Sequence, residues 1–204
     1  KLGIEEGKWV YPYAGVQGYD HFSASVRDNF VESPGVRITG RRVMDLACTT
    51  AEELEYVDLY SCFPSAVQIA ASELGFSLDR SLTVTGGLTF GGGPLNNYVM
   101  HSISRMVTLL REDRNKKGLI TANGGFLTKH SFGIYSAAPP IRDFQYENLQ
   151  AEVDRMPTRE VAADYDGPAT LESYTVMFKN DDPEIGHCAC LTPQGKRTWG
   201  NVTD

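Results

Sequence analysis

Three turns marked by glycine or cysteine, each at the end of an apolar segment, constrain this chain more than any other feature. They read Asp58-Leu59-Tyr60-Ser61-Cys62-Phe63-Pro64, then Gly86-Gly87-Leu88-Thr89-Phe90-Gly91-Gly92-Gly93-Pro94-Leu95-Asn96-Asn97, then Gly118-Leu119-Ile120-Thr121-Ala122-Asn123-Gly124-Gly125-Phe126. A helix-period segment follows each of the first two, while the third joins two apolar runs through a tight glycine turn, as neighbouring strands do. Glycine has no Cβ, so at such handovers the backbone can approach a ligand closely. Three turns converging on one side of a sheet would make a pocket.

Around these turns the pattern is α/β. Residues 56–60 read as a strand; residues 63–74 repeat Phe63, Val67, Ala70, Ala71 and Leu74 at helical spacing and stop at Gly75. Residues 81–85 are short and β-branched, consistent with a strand or an extended approach to the glycine loop. Asn96 can cap the next helix, whose stripe is Val99, Ile103, Met106, Val107 and Leu110. Residues 119–122 and 126–135 then read as paired strands. Upstream, Ser33-Pro34 has the form of a helix start, but Gly35 and Gly40 weaken a continuous helix and Val36-Arg37-Ile38 alternates like a strand, so the helix is expected mainly over residues 41–48.

The expected organisation is a main domain over residues 1–138 with an irregular opening segment at 1–32, a linker at 139–160, and a small β module at 161–204. Pro139-Pro140 stops what precedes it, and residues 148–160 are polar with room for one short helix. In the module, residues 170–178, 185–191 and 197–202 have strand character, separated by Asp181-Asp182-Pro183 and Pro193-Gln194-Gly195-Lys196. So slight an antiparallel sheet is not stable alone and is expected to pack on the main domain.

Composition narrows the partners. The 204 residues are 41% hydrophobic and 22% charged, enough for a sizeable core, and the formal charge of -7 disfavours non-specific binding to nucleic acid or anionic membranes. No apolar run approaches the roughly 20 residues that cross a bilayer, and no secretory signal opens the chain. Of Cys48, Cys62, Cys188 and Cys190, the last two form a Cys-x-Cys that puts both thiols on one strand face. No second Cys/His pair completes a metal site, so no metal is expected and the thiols fit a reducing cytoplasm. The chain opens on Lys1 and passes into an apolar Trp9-Val10-Tyr11-Pro12-Tyr13, as expected of a piece of a longer protein.

Over about residues 34–136 the three turns, in order, resemble the C-terminal half of the thiolase superfamily, in particular the type 1 thiolase-like and sterol carrier protein X-type acetyl-CoA acetyltransferases. The module after residue 161 is similar to the additional C-terminal domain of the type 1 group. The resemblance implies a thiolase-type mixed sheet covered by helices, acyltransfer on acyl-CoA in lipid metabolism, coenzyme A as a substrate moiety rather than a cofactor, and an N-terminal half that carries the nucleophile. With that half absent, an uncovered apolar face would favour self-association.

Carried over by residue, the resemblance breaks where chemistry is expected. The family's His-Asp-Cys-Phe corresponds to Tyr60-Ser61-Cys62-Phe63, its Gly-His-Pro-Leu-Gly to Gly92-Gly93-Pro94-Leu95-Asn96, and its Cys-x-Gly-Gly to Ala122-Asn123-Gly124-Gly125. A histidine has become Gly93 and the acid/base thiol is gone. The catalytic candidates are then Tyr60, Asn123 and His130; Cys62, Phe63, Gly92, Gly93, Pro94, Asn96, Gly124 and Gly125 line the expected acyl-CoA pocket. Each has a plainer use: Cys62 as a packed thiol, Tyr60 as a buried strand phenol, His130 as a polar surface residue, Asn96 as a helix cap. Three functions stay open: acyltransfer, a retro-aldol carbon-carbon lyase using Tyr60, and a non-catalytic acyl-CoA- or partner-binding scaffold.

Overall fold

Strand β1 (Tyr11–Tyr19) alternates half-buried with buried positions and sends Ala14, Val16 and Gly18 to the inner face. It lies inside the main sheet, where residues 1–32 had been expected to be irregular. Pro12 and the two glycines disguise it as loop, but its partners are distant in sequence: β4 on one side and β5 on the other. The computed structural model describes residues 2–203, and these form two units, Lys1–Asp20 with Val31–Arg155 and His21–Phe30 with Met156–Asp204.

In the main unit, β1 is followed by α1 (Pro34–Leu46), β2 (Leu54–Asp58), α2 (Pro64–Leu74), the short α3 (Leu88–Gly91) and α4 (Tyr98–Glu112). Then come β3 (Lys117–Gly124), β4 (Lys129–Ser136), β5 (Gln145–Asn148) and the one-turn α5 (Gln150–Val153). The five strands form one mixed sheet in the order β2-β3-β4-β1-β5. β2 runs parallel to β3 and β5 parallel to β1, while β4 is antiparallel to both its neighbours. Successive residues of β3 face opposite sides, so Leu119 enters the larger core with Val36, Val43, Leu74, Phe132 and Ile134, and Ile120 enters a smaller one with Met106, Leu110 and Ala137. Helices therefore cover both faces.

Helix α1 starts at the Ser33-Pro34 signal and not at residue 41, with the Ser33 side chain accepting a bond from the Val36 amide and Pro34 in the first turn, so Val36-Arg37-Ile38 is helical and not a strand. Gly40 does not interrupt it. A Cβ there would lie 2.2 Å from Leu74 Cδ2, so glycine is what lets α1 and α2 approach. Residues 81–85 are not a strand: Leu82 accepts one backbone bond from Leu59, and the rest of the segment bonds to Asp58 and to its own hydroxyls. Nor are residues 139–160 a linker throughout, because β5 joins the main sheet and Leu149 and Val153 are buried.

The second unit is an antiparallel sheet of β6 (Thr170–Lys179), β7 (Asp182–Leu191) and β8 (Arg197–Val202), in that order. The three strands come in the order the sequence gives, but β7 begins at Asp182, so Asp182 and Pro183 are paired strand residues and not turn, and the unit also takes up residues 21–30. Among its described residues Ala189 is the one fully buried apolar side chain, whereas Leu171, Tyr174, Met177 and Phe178 of β6 are all at least half exposed. What fixes it is Arg197, which is fully buried. Its guanidinium donates two 2.8 Å bonds to the Glu172 carboxylate, further bonds to the carbonyls of Ala24, Ser25, Arg27 and Asp28, and lies 4.3 Å over the Phe30 ring.

Candidate functional site

Strand β2 delivers the first of the three turns, and the side chain that organises it is Asp58, the last residue of the strand and fully buried. A carboxylate shut away from water needs donors for its lone pairs, and Asp58 has four. Ser102 Oγ (2.7 Å) and Tyr98 OH (3.1 Å) reach Oδ1; Thr83 Oγ1 (2.9 Å) and the Val84 amide (3.0 Å) reach Oδ2. Because Tyr98 and Thr83 give their protons to Asp58, their oxygens remain acceptors. Thr83 Oγ1 accepts from the amides of Thr85 and Gly87, and Tyr98 OH lies 2.7 Å from Thr85 Oγ1. One carboxylate thus holds the glycine loop against both β2 and the first turn of α4. Sequence reasoning missed it, although a lone acid inside the apolar run Val57-Asp58-Leu59, with Thr-x-Thr downstream, is the signal a buried hub leaves.

The first turn then touches the other two. Ser61 Oγ accepts a 3.0 Å bond from the Leu88 amide, and a Cβ on Gly87 would sit 2.6 Å from that oxygen, at a φ of +79°; only glycine fits. Leu88 in turn lies against Gly93, whose added Cβ would meet Leu88 Cδ2 at 3.7 Å. On the other side, Asn123 Nδ2 donates to Cys62 Sγ at 3.3 Å. Tyr60 is anchored by its amide, which donates to Thr121 Oγ1 at 2.8 Å, and its ring meets Tyr98 edge-on with centroids 5.4 Å apart. Burial, then the neighbouring Cys62 and then Tyr98, push the Tyr60 phenol above its usual range, so it keeps its proton and acts as a donor. Among the described residues, its hydroxyl has no hydrogen-bond partner.

The structure therefore gathers Tyr60, Cys62 and Asn123, with Gly93 one side chain removed. Asn123 Oδ1 is buried and has no partner. Gly92, Gly93, Pro94, Asn96 and Gly125 are exposed, and Gly124 is half-buried. Asn96 does not cap α4; Asn97 holds that position without a side-chain bond. Each turn also carries an exposed large apolar side chain: Phe63, Phe90 and Leu95, and Phe126.

His130 is placed differently. It pairs across the sheet with Asn123 but is 2% exposed, because the even-numbered residues of β4 face α1. Its Nε2 lies 3.0 Å from Asp20 Oδ2, which also accepts a 2.5 Å bond from Ser33 Oγ, and the Gly35 amide donates to Oδ1 at 2.9 Å. It is neither a surface residue nor open to a ligand. Burial opposes the charge on Asp20, but the bonds from His130 and Ser33, the His130 charge and the Gly35 amide outweigh it and hold the carboxyl below its usual range.

Cys188 and Cys190 share one face of β7, opposite Tyr174 and Leu171. Among the described residues, no group of three or more His, Cys, Asp or Glu is placed to hold a metal ion, and no helix is long and apolar enough to cross a membrane.

A mixed sheet with helices on both faces, three turns meeting at the end of its parallel pair, and a small antiparallel sheet near the C-terminus make up a fold similar to that of a thiolase-like protein with an additional C-terminal module. Residues 148–204 match the family described as the thiolase-like protein type 1 additional C-terminal domain. Over its whole length the chain is similar to the crystal structure of a monomeric SCP2-thiolase-like protein type 1 from Mycobacterium smegmatis, with a TM-score of 0.90 and 32% sequence identity. It covers 46% of that chain. No curated protein sequence matches it.

Proposed function

We propose that this chain forms the acyl-CoA-facing part of a thiolase-like acyltransferase, shaping the thioester pocket with its three turns while lacking the histidine and cysteine that usually carry protons there. The observation that supports this most is the double contact of the first turn, Ser61 to Leu88 and Cys62 to Asn123, which draws the three turns into one neighbourhood. The exposed Phe63, Phe90, Leu95 and Phe126 fit surfaces that an acyl group or the remainder of a longer thiolase-like protein would cover. Raised above its usual range, the Tyr60 phenol suits a donor to a thioester oxygen better than a base, and this favours acyltransfer over the retro-aldol reading, which needs a base at the substrate hydroxyl.

Calorimetric titration with a thioether analogue of an acyl-CoA, which binds but cannot react, tests the reading. Saturable binding that weakens in Tyr60→Phe and is untouched by changes in β6 is expected. An absence of heat at millimolar analogue would leave only a scaffold for protein partners.

A further inference from the structure

The second unit encloses a cavity of about 290 Å³ that plays no part in the thioester site. Strand register builds it. Thr175, His187 and Asn201 lie side by side across β6, β7 and β8, and Ser173, Ala189 and Trp199 form the next row on the same face. Ala189, the smallest of these side chains and fully buried, leaves the room, and Phe30 and Tyr174 complete the lining with Trp199.

The two rings of that lining are held before any ligand arrives. Trp199 Nε1 donates to Ser25 Oγ at 2.9 Å, the Arg197 guanidinium lies 4.3 Å from the Phe30 centroid, and the Phe30 and Trp199 centroids are 6.2 Å apart. Pinned aromatic faces favour a planar π ligand, because little freedom is lost in ordering them. The polar groups narrow its chemistry. His187 Nδ1 lies 2.8 Å from Asn201 Oδ1, and an amide oxygen only accepts, so Nδ1 carries the proton and Nε2 presents a lone pair. Among the described residues, the Ser173 and Thr175 hydroxyls have no hydrogen-bond partner. The lining contains no lysine or arginine, and Arg197 is committed to Glu172 and four backbone carbonyls, so a phosphate finds no cation here.

We propose that this cavity binds an uncharged adenine-type purine, as base or nucleoside, stacked on Phe30 and Trp199. The 6-amino group donates to His187 Nε2, and a ring nitrogen beside it accepts from the Thr175 hydroxyl, which strand pairing sets opposite His187. A 6-oxo purine would bring a lone pair against that of Nε2. The site lies wholly within the second unit and goes beyond the acyl-thioester reading; an acyl-CoA, with its phosphates, is not its ligand.

Titration of the full chain with adenosine, followed in heteronuclear NMR spectra, tests the assignment. The Trp199 indole N–H and the amides of Thr175 and His187 should shift together and saturate, while resonances of the main sheet stay in place. Inosine should bind at least about fivefold more weakly, and Thr175→Val, at an exposed position, should weaken adenosine about fivefold with β6 to β8 still dispersed. His187→Leu should cost about tenfold or more, and His187→Gln, which keeps an acceptor, should recover most of the loss. No saturable shift at about 10 mM adenosine overturns the proposal, as does equal affinity in Thr175→Val. Inosine binding as well as adenosine overturns the choice of purine. Tighter binding of adenosine 5′-monophosphate, or the same shifts from methyl glucoside, overturns the uncharged heterocycle in favour of a phosphate or a sugar.

Discussion

Asp58 in the main unit and Arg197 in the second are both shut away from water and both surrounded by hydrogen-bond partners, but of opposite kinds. Asp58 collects three hydroxyls and one amide from the glycine loop and α4, with no cation among them. Arg197 collects a carboxylate and four backbone carbonyls. The main unit has two apolar cores and needs no polar centre to fold, so Asp58 serves to fix how the loops around Tyr60 are shaped. The second unit, with Ala189 as its one fully buried apolar side chain among described residues, depends on Arg197 for the cohesion a core would give. One hub specifies a site; the other substitutes for a core.

If that contrast is right, the largest effect belongs to Arg197→Met. It strands Glu172 and several carbonyls, and a loss of about 3–5 kcal/mol is expected, as for other broken buried pairs. In heteronuclear NMR spectra the β6–β8 resonances should collapse while those of the main sheet persist. Dispersed β6–β8 signals in the variant would show that apolar contacts carry the second unit after all.

Asp58→Asn comes next, at about 2–4 kcal/mol in urea unfolding, because an amide can accept at only one end and would turn its NH2 against two donors. Its sharper readout is local: the Tyr60–Tyr98 edge contact should loosen and near-ultraviolet dichroism should fall, with the far-ultraviolet spectrum retained. An unchanged aromatic signal would separate Asp58 from the site.

A smaller effect, about 1–3 kcal/mol at neutral pH, is expected of Asp20→Asn, and its pH dependence has a defined sign. Folding lowers the Asp20 pKa, so between its ordinary value and the lower folded one the unfolded chain holds more protons, and stability rises with pH across that window. The wild type's advantage over the variant is therefore complete above about pH 4 and shrinks as the pH falls further. Equal slopes for the two proteins in acid unfolding would remove the charge on Asp20 from the account.

The smallest belongs to Gly93→His, which introduces the histidine of the thiolase motif that this turn resembles. The new Cβ meets Leu88 Cδ2 at an ordinary 3.7 Å and Gly93 does not occupy the left-handed region, so stability should stay within about 0.5 kcal/mol in thermal unfolding. A drop of several kcal/mol would mean that the loop needs glycine there for its shape.

What the sequence disclosed follows the same division. Locally encoded features came through: the end of α2 at Gly75, the β3–β4 hairpin, and the order of β6 to β8. Features made by distant partners did not. β1 is a strand because β4 and β5 bracket it, and Pro12, Gly15 and Gly18 hide that. Residues 81–85 are short and β-branched like a strand, yet Asp58 claims their donors. In the site, the Tyr60–Cys62–Asn123 neighbourhood was legible from the order of the turns. The withdrawal of His130 beneath α1 was not, because the register of β4 against β1 decides it and Asp20, 110 residues away, completes it.

Hydrogen exchange with and without the thioether acyl-CoA analogue addresses the central claim most directly, that three turns separated in sequence make one thioester-binding site. Residues 60–64, 86–97 and 123–128 should gain protection together at the same analogue concentration, with β6 to β8 unchanged. Protection confined to β6 to β8, or to one of the three turns alone, would contradict it.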